Sequence, residues 1–236
     1  MKNLTALALL WLLALVPALA QINPEVRSVG AFRALKASDG IIVTLTSGTA
    51  QHVEASADTP EFLARIKTEV SDGVLKVSFD HKLNEAWSKD NRPKNLRVNI
   101  VAAPLTGIDA SSGARVEVKN AYAAGDVNLE ASSGAVITAP ELTAKSVQAS
   151  VSSGGVATLG GKVQSLTVHA SSGGVFKGQD VQAATCDANA SSGGTIAVAV
   201  QDQLTANASS GGDVRYAGSP KAITKHTSSG GTVKSR

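Results

Sequence analysis

One phrase recurs through the second half of this chain: ASSGARVEV at 110, ASSGAVITA at 131, VSSGGVATL at 151, ASSGGVFKG at 170, ASSGGTIAV at 190, ASSGGDVRY at 208 and TSSGGTVKS at 227. The first serines are Ser111, Ser132, Ser152, Ser171, Ser191, Ser209 and Ser228, a period of 18 to 21 residues. A fixed period near 20 requires one structural unit per repeat, stacked on the next. Leucine-rich repeats share this length, but their Leu/Asn pattern is absent, and no helical spacing of apolar residues falls between copies.

What falls between them is alternation. Five residues before each first serine stand Val127, Val147, Leu166, Cys186, Leu204 and Ile223. Three before stand Leu129, Ala149, Val168, Ala188 and Ala206; one before stand Ala131, Val151, Ala170, Ala190 and Ala208. The positions between are polar, and five residues after the serine the apolar column resumes with Val116, Ile137, Ala157, Phe176, Ile196, Val214 and Val233. Period two is the strand period. A strand before the turn, one after it, and a shorter piece around Leu142, Val163, Val181 and Val200 predict three short strands per coil of a parallel β-helix, with length variation confined to a loop-bearing corner. Glycines at the bend supply backbone angles closed to other residues. The serines are expected to hydrogen-bond neighbouring serines or turn backbone in adjacent coils, so the phrase reads as structural.

Residues 1–20, MKNLTALALLWLLALVPALA, carry a lysine, an apolar run and Ala18-Leu19-Ala20, the layout of a Sec signal peptide cleaved before Gln21. The expectation is export to the periplasm, the cell envelope or the exterior, with no membrane span after cleavage. The lone Cys186 excludes an intrachain disulfide; it is expected to pack as a core thiol. A formal charge of +3, dispersed along the chain, gives no footprint for nucleic acid.

Residues 21–105 read as a β-rich N-terminal part continuous with the solenoid of residues 106–236. Strands are expected at 32–37, 41–45, 51–56, 74–79 and 96–101. Ser38-Asp39-Gly40 and Ser71-Asp72-Gly73 look like degenerate forms of the same turn. One short helix is expected, capped by Thr59, opened by Pro60 and Glu61, with Phe62, Leu63 and Ile66 on one face.

This order of elements, with TPEFLARIKTEVSDGVLKV, the strand ending Ala103-Pro104-Leu105, the serine–glycine turns and the closing VRYAGSPKAITKHTSSGGTVK, resembles the head GIN domain family of bacterial exported proteins, labelled putative autotransporter adhesins. The similarity spans roughly residues 29–234. It implies an all-β, right-handed parallel β-helix; it carries over no site residues.

No catalytic, cofactor or metal motif stands out, and none is assigned. His169, Ser171 and Asp187 approximate a triad on paper, and His169 and His226 share a column three coils apart, too far for one metal. Asp109 and Glu130 stack on neighbouring coils. The candidate contact residues for a partner are Trp87 with Lys82, Lys89, Arg92 and Lys94, in the polar loop 80–95. The reading is a non-enzymatic envelope or secreted protein that contacts a cell-surface glycan or envelope protein. The alternative is a carbohydrate-active lyase or hydrolase, which a pocket joining two carboxylates to a basic residue would favour. Self-association through an open strand edge at 228–236 is a further expectation.

Overall fold

The computed structural model describes residues 24–82 and 93–236. In chain order its elements are β1 (Glu25–Val26), β2 (Ala34–Ala37), β3 (Ile42–Ser47), β4 (His52–Ser56), α1 (Pro60–Arg65), β5 (Ile66–Ser71), β6 (Val74–Phe79) and β7 (Arg97–Ala102). There follow β8 (Gly107–Ala110), β9 (Arg115–Lys119), β10 (Tyr122–Ala131), β11 (Val136–Val151), β12 (Val156–Ala170), β13 (Val175–Ala190), β14 (Thr195–Ala208), β15 (Asp213–Ala217), β16 (Ala222–Thr227) and β17 (Thr232–Ser235). All pair into one sheet wound as a β-solenoid, of which the seven serine–glycine phrases span about six turns.

The predicted columns are real ladders. Val127 pairs in register with Val147, then Leu166, Cys186, Leu204 and Ile223, all in parallel strands. All but Ile223 are buried. The column after the turn, from Val116 to Val214, is completely enclosed. At roughly 25 cal/mol per Å² of apolar surface removed from water, each such Val or Leu contributes about 1.5–3 kcal/mol, but only once its neighbour coil is in place.

The predicted three strands per coil are instead one long strand, as in β11, β12, β13 and β14. The chain bends without leaving the ladder, and the register shifts absorb the length differences: between Ala139 and Leu142, Thr158 and Gly160, and Gly178 and Ala183. Consequently Leu142, Val163, Val181 and Val200 are not one column. Leu142 pairs with Gly161 and then Val181, whereas Val163 pairs with Ala183 and then Val200.

The serine–glycine phrase is a type I′ turn. Ser172 has φ of 49° and Gly173 of 73°, and the Gly174 N–H donates to Ser171 O at 2.8 Å. Serine in the left-handed region costs roughly 1–2 kcal/mol, which sequence reasoning had assigned to glycine alone. The offset comes from stacking. The Gly154 N–H donates to Ser172 O and the Gly173 N–H to Ser192 O, so turn backbones bond coil to coil. The bonds expected of the serine hydroxyls are thus made by the serine main chain. Gly174 has a different role: a Cβ there would lie 2.4 Å from Val151 O and 2.5 Å from Val151 C, main-chain atoms of the coil before.

The N-terminal region departs from sequence order. Strand β2 lies between β6 and β8, and β3 between β7 and β9, all parallel. The coil of residues 34–47 therefore intercalates between one made of residues 74–102 and one made of 107–119. Its turn, Ser38–Ile41, is the predicted degenerate copy, with Asp39 at φ 61° and Gly40 donating to Ser112 O. The second copy, Ser71–Val74, uses the same left-handed pair but closes the antiparallel hairpin β5–β6.

Helix α1 begins as expected: the Phe62 N–H donates to Thr59 Oγ1 at 3.2 Å, and Pro60 opens the first turn. Ile66, expected on its apolar face, is already extended and starts β5, a strand not anticipated. With β5 on β6 and β4 on β7, both antiparallel, the first coil's outer edges are covered. Arg65 closes that end, its guanidinium 4.6 Å from the Phe79 ring centre and its Nε donating to Asp80 O.

Candidate functional site

Outward positions form ladders as regular as the inward ones. Two residues before each first serine, the column reads Lys76, Lys36, Asp109, Glu130, Ser150, His169, Asn189, Asn207 and His226 along the axis. Two grooves follow it. One, of about 540 Å³, runs from Lys76 and Lys36 past Asp109 and Glu130 to His169. The other, of about 280 Å³, continues from His169 past Asn189 and Asn207 to His226, with serines of the turns beside it. They meet at His169, so one track of polar side chains, with apolar surface exposed between them, follows the solenoid axis.

Small residues make the first groove. Ala34 and Gly107 are adjacent in the next outward column, and a Cβ on Gly107 would already touch that of Ala34 at 3.6 Å. Longer Asn128 and Gln148 extend the same column into later coils. Charge is concentrated at this end. Lys36 Nζ lies 2.6 Å from Asp109 Oδ2; this hydrogen bond and the carboxylate's charge raise the lysine pKa above its usual 10.5, with a smaller contribution from Glu130. Further along the track two asparagines on neighbouring coils bond to each other, and one of them also bonds within its own strand. Asn207 donates to Asn189 Oδ1, and Asn189 to Asp187 Oδ1, each at 2.8 Å.

The triad on paper does not assemble: Asp187 is taken by Asn189, the register neighbour of His169. Asp109 and Glu130 do stack, and they share the groove with Lys36. His169 and His226 hold one column with Asn189 and Asn207 between them. Cys186 is in the core, its thiol pushed up to about 12 by burial and then by the Asp187 charge. Of the loop candidates, Trp87, Lys89 and Arg92 lie outside the described residues. Lys82 pairs with Glu61 at 2.9 Å on the surface, and Lys94 is exposed. Sequence reasoning missed Lys36, Lys76 and the small floor at Ala34 and Gly107. Counting two residues back from Ser38 would have found Lys36; Lys76 required the intercalated topology.

The fold and its track define a class: an N-terminally covered parallel β-solenoid with a packed interior and a polar outer face. Residues 31–220 match the family model described as "Putative auto-transporter adhesin, head GIN domain", and the chain belongs to that family. Among solved structures, a putative adhesin from Bacteroides fragilis is similar at a TM-score of 0.80 and 19% identity, covering 92% of this chain and 98% of that one. A putative adhesin from Parabacteroides distasonis gives 0.68 at 20% identity, covering 92% and 97%. A protein from the same species named as a putative lipid binding protein gives 0.64 at 21%, covering 91% and 97%. At these identities the likeness is one of fold. A search of curated proteins finds no match. Among the described residues no helix is long and apolar enough to cross a membrane.

Proposed function

We propose that this chain is an exported, non-enzymatic binding module of the adhesin type. In this reading residues 1–20 direct Sec export and the polar track is the contact surface. One observation carries the reading: two grooves joined at His169 follow a single outward column. Such a surface offers donors and acceptors at every coil, about 4.8 Å apart, to a partner lying along the axis. Two lysines, two carboxylates and then neutral polar side chains follow one another along it, which suits a hydroxyl-rich glycan or a polar protein segment better than a polymer of uniform charge. The loop 80–95, with Lys82 and Lys94 exposed at its ends, is a second proposed contact.

The test is binding of residues 21–236 to a glycan array and to envelope extract, with Gln148→Arg and Ser150→Trp as groove variants. Both positions face outward, so the fold is retained. Loss of at least tenfold in affinity supports the track. Undiminished binding, with loss in Lys82→Glu/Lys94→Glu, moves the contact to the loop.

A second reading, a carbohydrate-active enzyme, draws on Asp109 and Glu130 sharing the groove with Lys36. Against it, the Asp109 carboxylate is already occupied by the ion pair. Cleavage of any array glycan that disappears in Glu130→Gln would establish this reading in place of the first.

A further inference from the structure

The inward column of Leu129, Ala149, Val168, Ala188 and Ala206 has one more member, Lys225. Beside it, Thr227 follows Ala208, and Ser235 follows Tyr216. The last coil thus turns polar on its inner side except at Ile223 and Val233. Lys225 does not swing away to the flank. Its Nζ lies 4.7 Å from the Tyr216 ring centre, over the end of the core. All of β16 is exposed, and Ile223 keeps 43% of its surface. From Val214 to Arg236 the chain carries Arg215, Lys221, Lys225, Lys234 and Arg236 and no acidic residue.

We infer that this coil is a stop, and that what it prevents is end-to-end pairing with a second copy of the chain. A bare strand edge over an apolar interior would recruit another solenoid, since edges pair readily and the core would continue across the join. Head-to-tail pairing is opposed because the first coil is flanked by β4 and β5, which run antiparallel to it and so do not continue the parallel ladder. The remaining mode is two-fold, coil 222–236 against itself, where the same surface meets its own copy. That join would bring two Lys225 ammonium groups into one dehydrated space, while the carboxylates that reach this coil, Asp202 and Asp213, are held by Lys221 and by Arg215 and Thr232. Among the described strands β16 pairs with β14 alone and β17 with β15 alone, and an inward charge keeps their outer edge solvated.

Sedimentation velocity on residues 21–236 tests this, with far-UV circular dichroism confirming the fold. Wild type and Lys225→Arg remain monomers across the concentration range. Lys225→Leu/Thr227→Val dimerises at least tenfold more tightly than wild type, and more so in high salt, which screens the remaining like charges. Lys225→Met alone moves the same way by less. A wild-type dimer joined through β16 overturns the inference. So does a folded double variant that remains monomeric, or growth beyond dimers, which the covered first coil should forbid.

Discussion

Phe176 offers the sharpest test of stacking. It is fully enclosed, with Ala157 beneath it in register and Ile196 above. Its ring also spreads over Gly178, where an added Cβ would lie 2.5 Å from Phe176 Cε1. The ring therefore fills the space that Gly178 leaves open, and Ala157, 19 residues earlier, is its small neighbour on the adjoining rung. Phe176→Ala removes that filling and costs about 3–5 kcal/mol, a transfer loss plus a cavity loss. With a urea m-value of about 3 kcal/mol/M, the midpoint falls by about 1 M or more. Ala157→Ile alone overpacks the site and costs about 1–3 kcal/mol. Together the two changes compensate, since the new sec-butyl group enters the space the ring vacates. The double variant should be more stable than the sum of the singles by about 1–3 kcal/mol. Urea unfolding followed by far-UV circular dichroism reads all four proteins. Additivity within about 0.5 kcal/mol would mean that the two positions do not touch, and the stacking argument would fail.

At the turn, Gly174→Ala drives a Cβ into the Val151 carbonyl and costs about 1–3 kcal/mol, whereas Ser172→Gly relieves the left-handed serine and gains about 1 kcal/mol or less; thermal melts of the pair should move in opposite directions. Tyr122→Phe leaves the buried Leu105 N–H without its acceptor, the Tyr122 hydroxyl, and costs about 1–3 kcal/mol in the same assay. Cys186 resists thiol reagents at pH 8 until the chain unfolds, because its native pKa is pushed up to about 12. The unfolded thiol ionises near its ordinary 9.0, so this group leaves stability unchanged below that pH; stability then falls by about 1.4 kcal/mol per unit as pH rises toward about 12. Cys186→Ala should flatten that alkaline decline.

The repetitive half was legible because the strand period and the repeat period coincide at every copy. Val147, Leu166 and Cys186 announce one column before any coordinates. The corner was not, since Leu142 and Val163 look equivalent in sequence while a register shift separates them by two positions. The intercalation of β2 between β6 and β8 was hidden for a different reason. Alternation states which face of a strand is buried, not which strand lies beside it. Strand β5 was lost because IKTEVS lies on an edge, with polar residues at alternating exposed positions, directly after a helix signal. For the candidate site, the outward polar columns could be written down from sequence. The groove could not, because its floor at Ala34 and Gly107 joins residues 73 positions apart. Lys225 was readable all along, three residues before Ser228, where each earlier copy has an apolar side chain.

The central claim is a spiral with one coil per serine–glycine phrase and residues 34–47 inserted out of order. Double electron–electron resonance tests it directly, with spin labels on cysteines placed pairwise along the outward column and the buried Cys186 left unlabelled. Measured from position 226, distances should grow by about 4.8 Å per coil: near 24 Å to position 130, 29 Å to 109, 34 Å to 36 and 38 Å to 76. The account requires position 76 to be farther than 36. The reverse order, or distances that do not rise with each coil, would contradict it.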